Sequence, residues 1–113
     1  MHAEVTRTMN PESMRRAADS ACRLMKALSN RDRLLLLCQL TEGEKRVGEL
    51  ETLVGVTQPT LSQQLGVLRD EGLVTTRRDG KHIYYRIANT QALAVMQTLF
   101  EQFCAPREAA HAD

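Results

Sequence analysis

At Gly72 the spacing of apolar residues changes from helical to alternating, and this change limits the fold more than any other feature of the chain. Residues 72–88, GLVTTRRDGKHIYYRIA, hold two runs rich in β-branched and aromatic residues around Asp79-Gly80. Asp-Gly tolerates the positive φ of a tight turn, so the stretch predicts a two-stranded β-hairpin. Such a hairpin is barely stable in water and must rest against something else.

Four helices are predicted before it. Asn10-Pro11 is a start signal, a capping side chain followed by proline at the first helical position. From there Met14, Ala17, Ala18, Ala21, Met25 and Leu28 recur at helical spacing, and the small residues among them would let another helix approach closely. Asn30 is placed to cap a second helix, RDRLLLLCQLTEG, which Gly43 would end. A third, VGELETLV, stops at Gly55. Thr57 is placed to cap a fourth, QPTLSQQLGVLRDEG, closed by Gly72. In it Leu61, Leu65 and Leu68 share one face, and Thr60, Ser62 and Gln63 point away from it. After the hairpin, Asn89 would cap a final helix with Leu93, Met96, Leu99, Phe100 and Phe103 on a broad apolar face and Cys104 in its last turn. The expected organisation is one mainly α domain with a small β-hairpin over residues 11–104. Flexible tails are expected at 1–10 and 105–113.

Composition excludes some classes. Hydrophobic content is 42% and charged content 26%, as in soluble globular domains. No apolar run approaches the roughly 20 residues that span a bilayer. The start, MHAEVTRTMNPES, has no apolar core of a secretory signal, so no membrane partner and a cytoplasmic location are expected. Cys22, Cys38 and Cys104 form no CxxC, and in a reducing compartment they read as free thiols. An enzyme is not expected, and neither is a cofactor. His2, His82 and His111 are not placed as bases, and Gly48, Gly55 and Gly66 are too far apart for a phosphate-cradling loop.

Helices three and four are joined by Gly55-Val56-Thr57, the spacing of a helix-turn-helix. The second helix of such a unit enters the major groove N-terminus first. Here that end offers Gln58, Thr60, Ser62, Gln63 and Gln64, neutral groups suited to base edges. The hairpin would be a wing. Arg77, Arg78, Lys81 and His82 surround its tip with Asp79 opposing them, which suits phosphates or a narrow minor groove. A net charge of +1 does not announce a nucleic-acid binder, so this local arrangement makes the case. The wing cations and the polar helix face argue against a winged helix that only binds protein.

The run VGELETLVGVTQPTLSQQLGVLRDEGLVTTRRDGKHIYYRIA resembles the core of the arsenic-repressor (ArsR) type winged-helix regulators. ALSNRDRLLLL is similar to the start of that family's second helix, although members often carry His-Pro where this chain has Asn30-Arg31. The resemblance covers residues 14–104 and implies a winged helix-turn-helix homodimer built from the first and last helices. It also implies a palindromic double-stranded operator, with the two reading helices one DNA turn, ~34 Å, apart. Many such regulators sense metals. Here the third helix has no Cys or His, and the last offers only Glu101 and Cys104, short of the four ligands of a tetrahedral site. A metal-responsive or effector-independent regulator remains the alternative.

GELETLVGVTQPTLSQQLGVLR and LFEQFC further resemble the sulfide- and persulfide-responsive branch, the biofilm-growth-repressor and sulfide:quinone-reductase-repressor type. That resemblance implies that Cys38 and Cys104 approach each other within a protomer. Reactive sulfur species or oxidants would join them through a disulfide or polysulfide bridge, and the bridged form would release DNA. Taken alone, Cys38 among Leu34, Leu35 and Leu37 reads equally well as a core thiol. Cys22, beside the apolar stripe of the first helix, matches no pairing; it is a packing residue or a third modifiable thiol.

Overall fold

Three asparagines start three of the helices. The computed structural model describes residues 10–104, within which α1 spans Pro11–Leu28, α2 Arg31–Leu40 and α3 Val47–Val54. Next come α4, Thr60–Asp70, and α5, Thr90–Phe103. Asn10, Asn30 and Asn89 each accept a backbone N–H with Oδ1, from Ser13 at 2.7 Å, Arg33 at 3.0 Å and Ala92 at 2.8 Å. Such caps contribute about 1 kcal/mol each. The expected tails lie outside the described residues apart from Asn10, as do His2 and His111.

The hairpin forms from β2, Val74–Asp79, and β3, His82–Ile87. Asp79 pairs with His82, so the two turn residues are Gly80 and Lys81 rather than Asp79 and Gly80. Gly80 takes φ 65, the arrangement in which glycine leads a two-residue turn. The hairpin is also not alone. Lys45–Arg46 form a short β1 antiparallel to β3, giving a three-stranded sheet in the order β1-β3-β2. A two-residue strand has no period to read in a sequence.

The end of the second helix and the start of the fourth differ from expectation. The second helix stops at Leu40 instead of reaching Gly43; the Thr41 hydroxyl donates to the Cys38 carbonyl at 2.6 Å, and Gly43 takes φ 138. The fourth starts at Thr60, and Thr57 does not cap it. Proline disfavours helical backbone in the residue before it, which keeps Gln58 ahead of Pro59 out of the helix. The connection between α3 and α4 therefore runs over residues 55–59.

α2 is the central element, packed against α1, α3, α4, α5 and β3. Leu36, Leu37 and Leu40 of α2 meet Leu50 of α3, Leu61, Leu65 and Leu68 of α4, and Ala92 and Met96 of α5 in one core. The predicted α4 stripe is fully inside, at 0%, 1% and 0% exposure. No polar or charged residue is buried among the described residues. The apolar face predicted for the last helix splits. Met96 is buried and Leu99 half-buried, while Phe100 and Phe103 are 50% and 67% exposed. On α1 only Leu24, Ala27 and Leu28 join the core, leaving Met14, Ala17, Ala18, Ala21 and Met25 exposed.

Candidate nucleic-acid interface and thiol pair

The leucine stripe of α4 fixes which of its side chains face out. Ser62 and Gln63 are exposed and Thr60 is half-buried, on the side away from the core. Gln58, just ahead of the helix, is exposed too. Its Oε1 accepts the Ser62 backbone N–H at 3.1 Å and the Ser62 hydroxyl at 2.6 Å. It thus supplies the capping bond expected of Thr57, and couples two candidate reading groups into one unit. Gln64 departs from expectation. It is half-buried, and its Oε1 accepts Nη1 of Arg33 at 2.9 Å, so its carbonyl turns toward α2 rather than outward. The reason is positional: Gln64 lies three residues after Leu61 and four before Leu68, on the flank of the core stripe.

The wing alternates by strand register. Val74, Tyr85 and Ile87 face the core, and the opposite face carries Thr75, Arg77, Tyr84 and Arg86. Arg77 does not stand free at the tip. Its Nε and Nη2 donate to the two carboxylate oxygens of Glu44, both at 2.8 Å, and its guanidinium carbon lies 4.4 Å from the centre of the Tyr84 ring. Asp79 approaches it as well, at 3.9 Å. The Arg77 hydrogen bonds hold the Glu44 carboxyl below its ordinary pKa, with help from the charges of Arg77 and Arg86. Arg78, Lys81 and His82 are exposed around the turn, and His82 stands edge-on to Tyr84 at 6.4 Å. Glu44 precedes β1, far from the wing in sequence, and no local pattern announces its role.

The two thiols named from sequence lie on helices that pack together, and Cys38 is within reach of the charge of Cys104. Cys38 is half-buried on α2 against the core, and Cys104 is exposed where α5 ends, its N–H donating to the Phe100 carbonyl at 2.9 Å. Cys104 follows the last helical residue rather than lying within the final turn. Burial pushes the Cys38 thiol above its ordinary pKa, and the nearby charge of Cys104 pushes it further in the same direction. Both are free thiols, as is Cys22, which is exposed on α1 instead of packed in it. No cluster of three or more His, Cys, Asp or Glu suited to a metal ion occurs among the described residues. No helix among them is long and apolar enough to cross a membrane.

Known proteins share this arrangement. The profile described as bacterial regulatory protein, arsR family, matches residues 30–76. The biofilm growth-associated repressor of Xylella fastidiosa strain 9a5c is 48% identical over 102 residues, covering 90% of this chain and 90% of that protein. The crystal structure of the transcriptional repressor BigR from Xylella fastidiosa superposes with a TM-score of 0.78 at 49% identity, over 86% of this chain and 99% of that one. A homodimeric winged helix-turn-helix DNA-binding domain from Mycobacterium bovis, solved by NMR, gives a TM-score of 0.68 at 36% identity, over 91% of this chain and 95% of that one. Such relatives are regulators rather than enzymes. With helices, wing and reading-helix geometry all in agreement, the chain belongs to the arsR family and is a DNA-binding transcriptional repressor of winged-helix type.

Proposed function

We propose that this repressor is a homodimer that binds a palindromic operator and releases it when sulfur bridges Cys38 and Cys104. The observation that carries the sensing half is that α2 and α5 pack together, with Cys38 on one and Cys104 at the end of the other. The exposed apolar residues of α1 and α5 support a dimer through those helices, and the Mycobacterium bovis relative is described as homodimeric. Gln58, Thr60, Ser62 and Gln63 then meet base edges, while Arg78, Lys81 and His82, with Arg77, meet phosphates or the minor groove. The work is done where the chromosome is, in the reducing cytoplasm, where the thiols start free.

The chemistry needs an electron acceptor, and a low-molecular-weight persulfide, RSSH, is one. The exposed Cys104 thiolate attacks the outer sulfur, RS⁻ leaves and takes a proton, and Cys104 becomes a persulfide. Cys38, slower to ionise, gives up its proton as it attacks the inner sulfur of that persulfide, and hydrosulfide leaves. The products are one protein disulfide, RSH and H2S; the two cysteines are oxidised and the persulfide is reduced. A longer polysulfide donor leaves extra sulfur atoms in the bridge. The bond ties the end of α5 to the central helix, and so acts at the dimer-forming element.

Intact-protein mass and operator titration test this together. Reduced protein is treated with a persulfide donor, oxidised glutathione or hydrogen peroxide. The expected result is a loss of two hydrogen atoms, with or without added sulfur, together with weakened operator binding, both abolished in Cys38→Ser and Cys104→Ser. Operator affinity indifferent to every treatment would sink the sensing half and make a metal titration the next step.

A further inference from the structure

Arg33, on α2, is joined through its side chain to two other helices at once. Its Nε donates to the Ala27 carbonyl at 2.7 Å, and its Nη2 to the Lys26 carbonyl at 3.3 Å. These lie in the last turn of α1, where a cation is favoured by the helix dipole; the Lys26 carbonyl also accepts the Ser29 N–H and hydroxyl. The remaining arm, Nη1, reaches Gln64 in the middle of α4. All of these acceptors are neutral, so the guanidinium serves here as a rigid fork rather than as an ion-pair partner. A second polar tie joins the same two helices further along, from Arg23 Nε of α1 to Glu71 Oε1 just after α4, at 2.8 Å. The α1 end is therefore held to α4 in two places, and Arg33 is the one that reaches the exposed reading segment's own turn.

We infer that Arg33 is a positioning residue that sets the reading helix relative to α1, and that Gln64 is its acceptor rather than a base-reading group. This rests on the dimeric DNA-binding reading and not on the sulfur chemistry. A palindromic operator demands a fixed separation of two reading helices, ~34 Å. If α1 belongs to the dimer interface, the Arg33 fork is a polar link from that interface into the turn of α4 that carries the base-reading residues. Slack in it would cost discrimination between sequences and spare the sequence-independent attraction to phosphate, which the wing supplies. Lysine at this position could not replace it, because one ammonium cannot hold divergent acceptors at fixed angles.

The test uses full-length, reduced protein. The wild type selects duplexes from a random-sequence library, and Arg33→Lys, Gln64→Leu and the double variant are then titrated against the selected duplex and a scrambled one of equal length. Melting temperature and sedimentation are measured on each. The expected result is a loss of about tenfold on the selected duplex for either single change, with scrambled binding and dimerisation unchanged. The double variant should be no weaker than the singles, the mark of one shared link. Repeating the selection with Gln64→Leu should return the same sequence. A new base preference with Gln64→Leu and full affinity with Arg33→Lys would overturn the inference, since Gln64 would then be reading a base. Additive losses, or no loss in either variant, would also overturn it. Selection of no sequence by the wild type would remove the DNA reading on which it rests. Gln64→Leu keeps the side-chain volume, so it stands as the cleaner arm if Arg33→Lys lowers stability.

Discussion

The reading helix and the wing use opposite means to offer themselves to DNA. α4 presents neutral hydrogen-bonding side chains, Ser62 and Gln63 with Gln58 beside them, on a helix clamped to the core by fully buried leucines. The wing presents charge on an exposed hairpin, and part of that charge is already taken, because Arg77 is held by Glu44. Neutral groups on a rigid base discriminate between sequences; charges on an exposed hairpin attract any duplex. If the wing meets DNA as proposed, Glu44 sets how much unspecific attraction it carries, without touching the groups proposed to read sequence.

The comparison can be broken most severely at its rigid side. Leu65→Ala removes a buried side chain from under α4, and should cost 2–5 kcal/mol of stability by denaturant unfolding, because the site is 1% exposed and the cavity is enclosed by other leucines. A loss below about 1 kcal/mol would mean that α4 is not anchored as described. Next in size comes the split between the two surfaces. Gln63→Ala should lose roughly 1–3 kcal/mol on the operator and relax base preference. Lys81→Ala should weaken all duplexes alike and reduce the salt slope by about one. If both variants weaken operator and scrambled DNA equally, the division of labour fails.

The smallest effect sharpens the comparison at Glu44. Glu44→Gln frees Arg77 and should raise affinity for scrambled DNA and steepen its salt dependence, leaving base preference unchanged. The same pair carries a pH signature. Its folded pKa is lowered, so the stabilisation is present above the unfolded carboxylate value, about 4.3, and is lost as pH falls through the lower folded one. Wild-type protein should therefore lose an acid-range component of stability that Glu44→Gln lacks, read by thermal melts between neutral and strongly acidic pH. The pair is exposed, and its contribution should be small.

Wherever a few adjacent residues decide the outcome, the sequence by itself determined the structure. Each asparagine that caps a helix bonds a backbone N–H three residues on, so Asn10, Asn30 and Asn89 are legible without any fold. The Leu61, Leu65 and Leu68 stripe and the run of strand residues about Gly80 are local in the same way. The outward face of α4 was legible to that extent, with Ser62 and Gln63 exposed as their angle from the leucines requires. Groups whose state depends on a distant partner were decided only by the tertiary structure. Lys45 and Arg46 are a strand only because Tyr84 and Tyr85 lie beside them. Arg77 is neutralised only because the fold brings up Glu44, and Gln64 turns from solvent only because Arg33 reaches it. Cys38 feels Cys104 only because α5 folds back over α2. Hydrogen bonds and charge interactions act over a few ångströms of space whatever the separation along the chain, so only the packed chain can show which of them form.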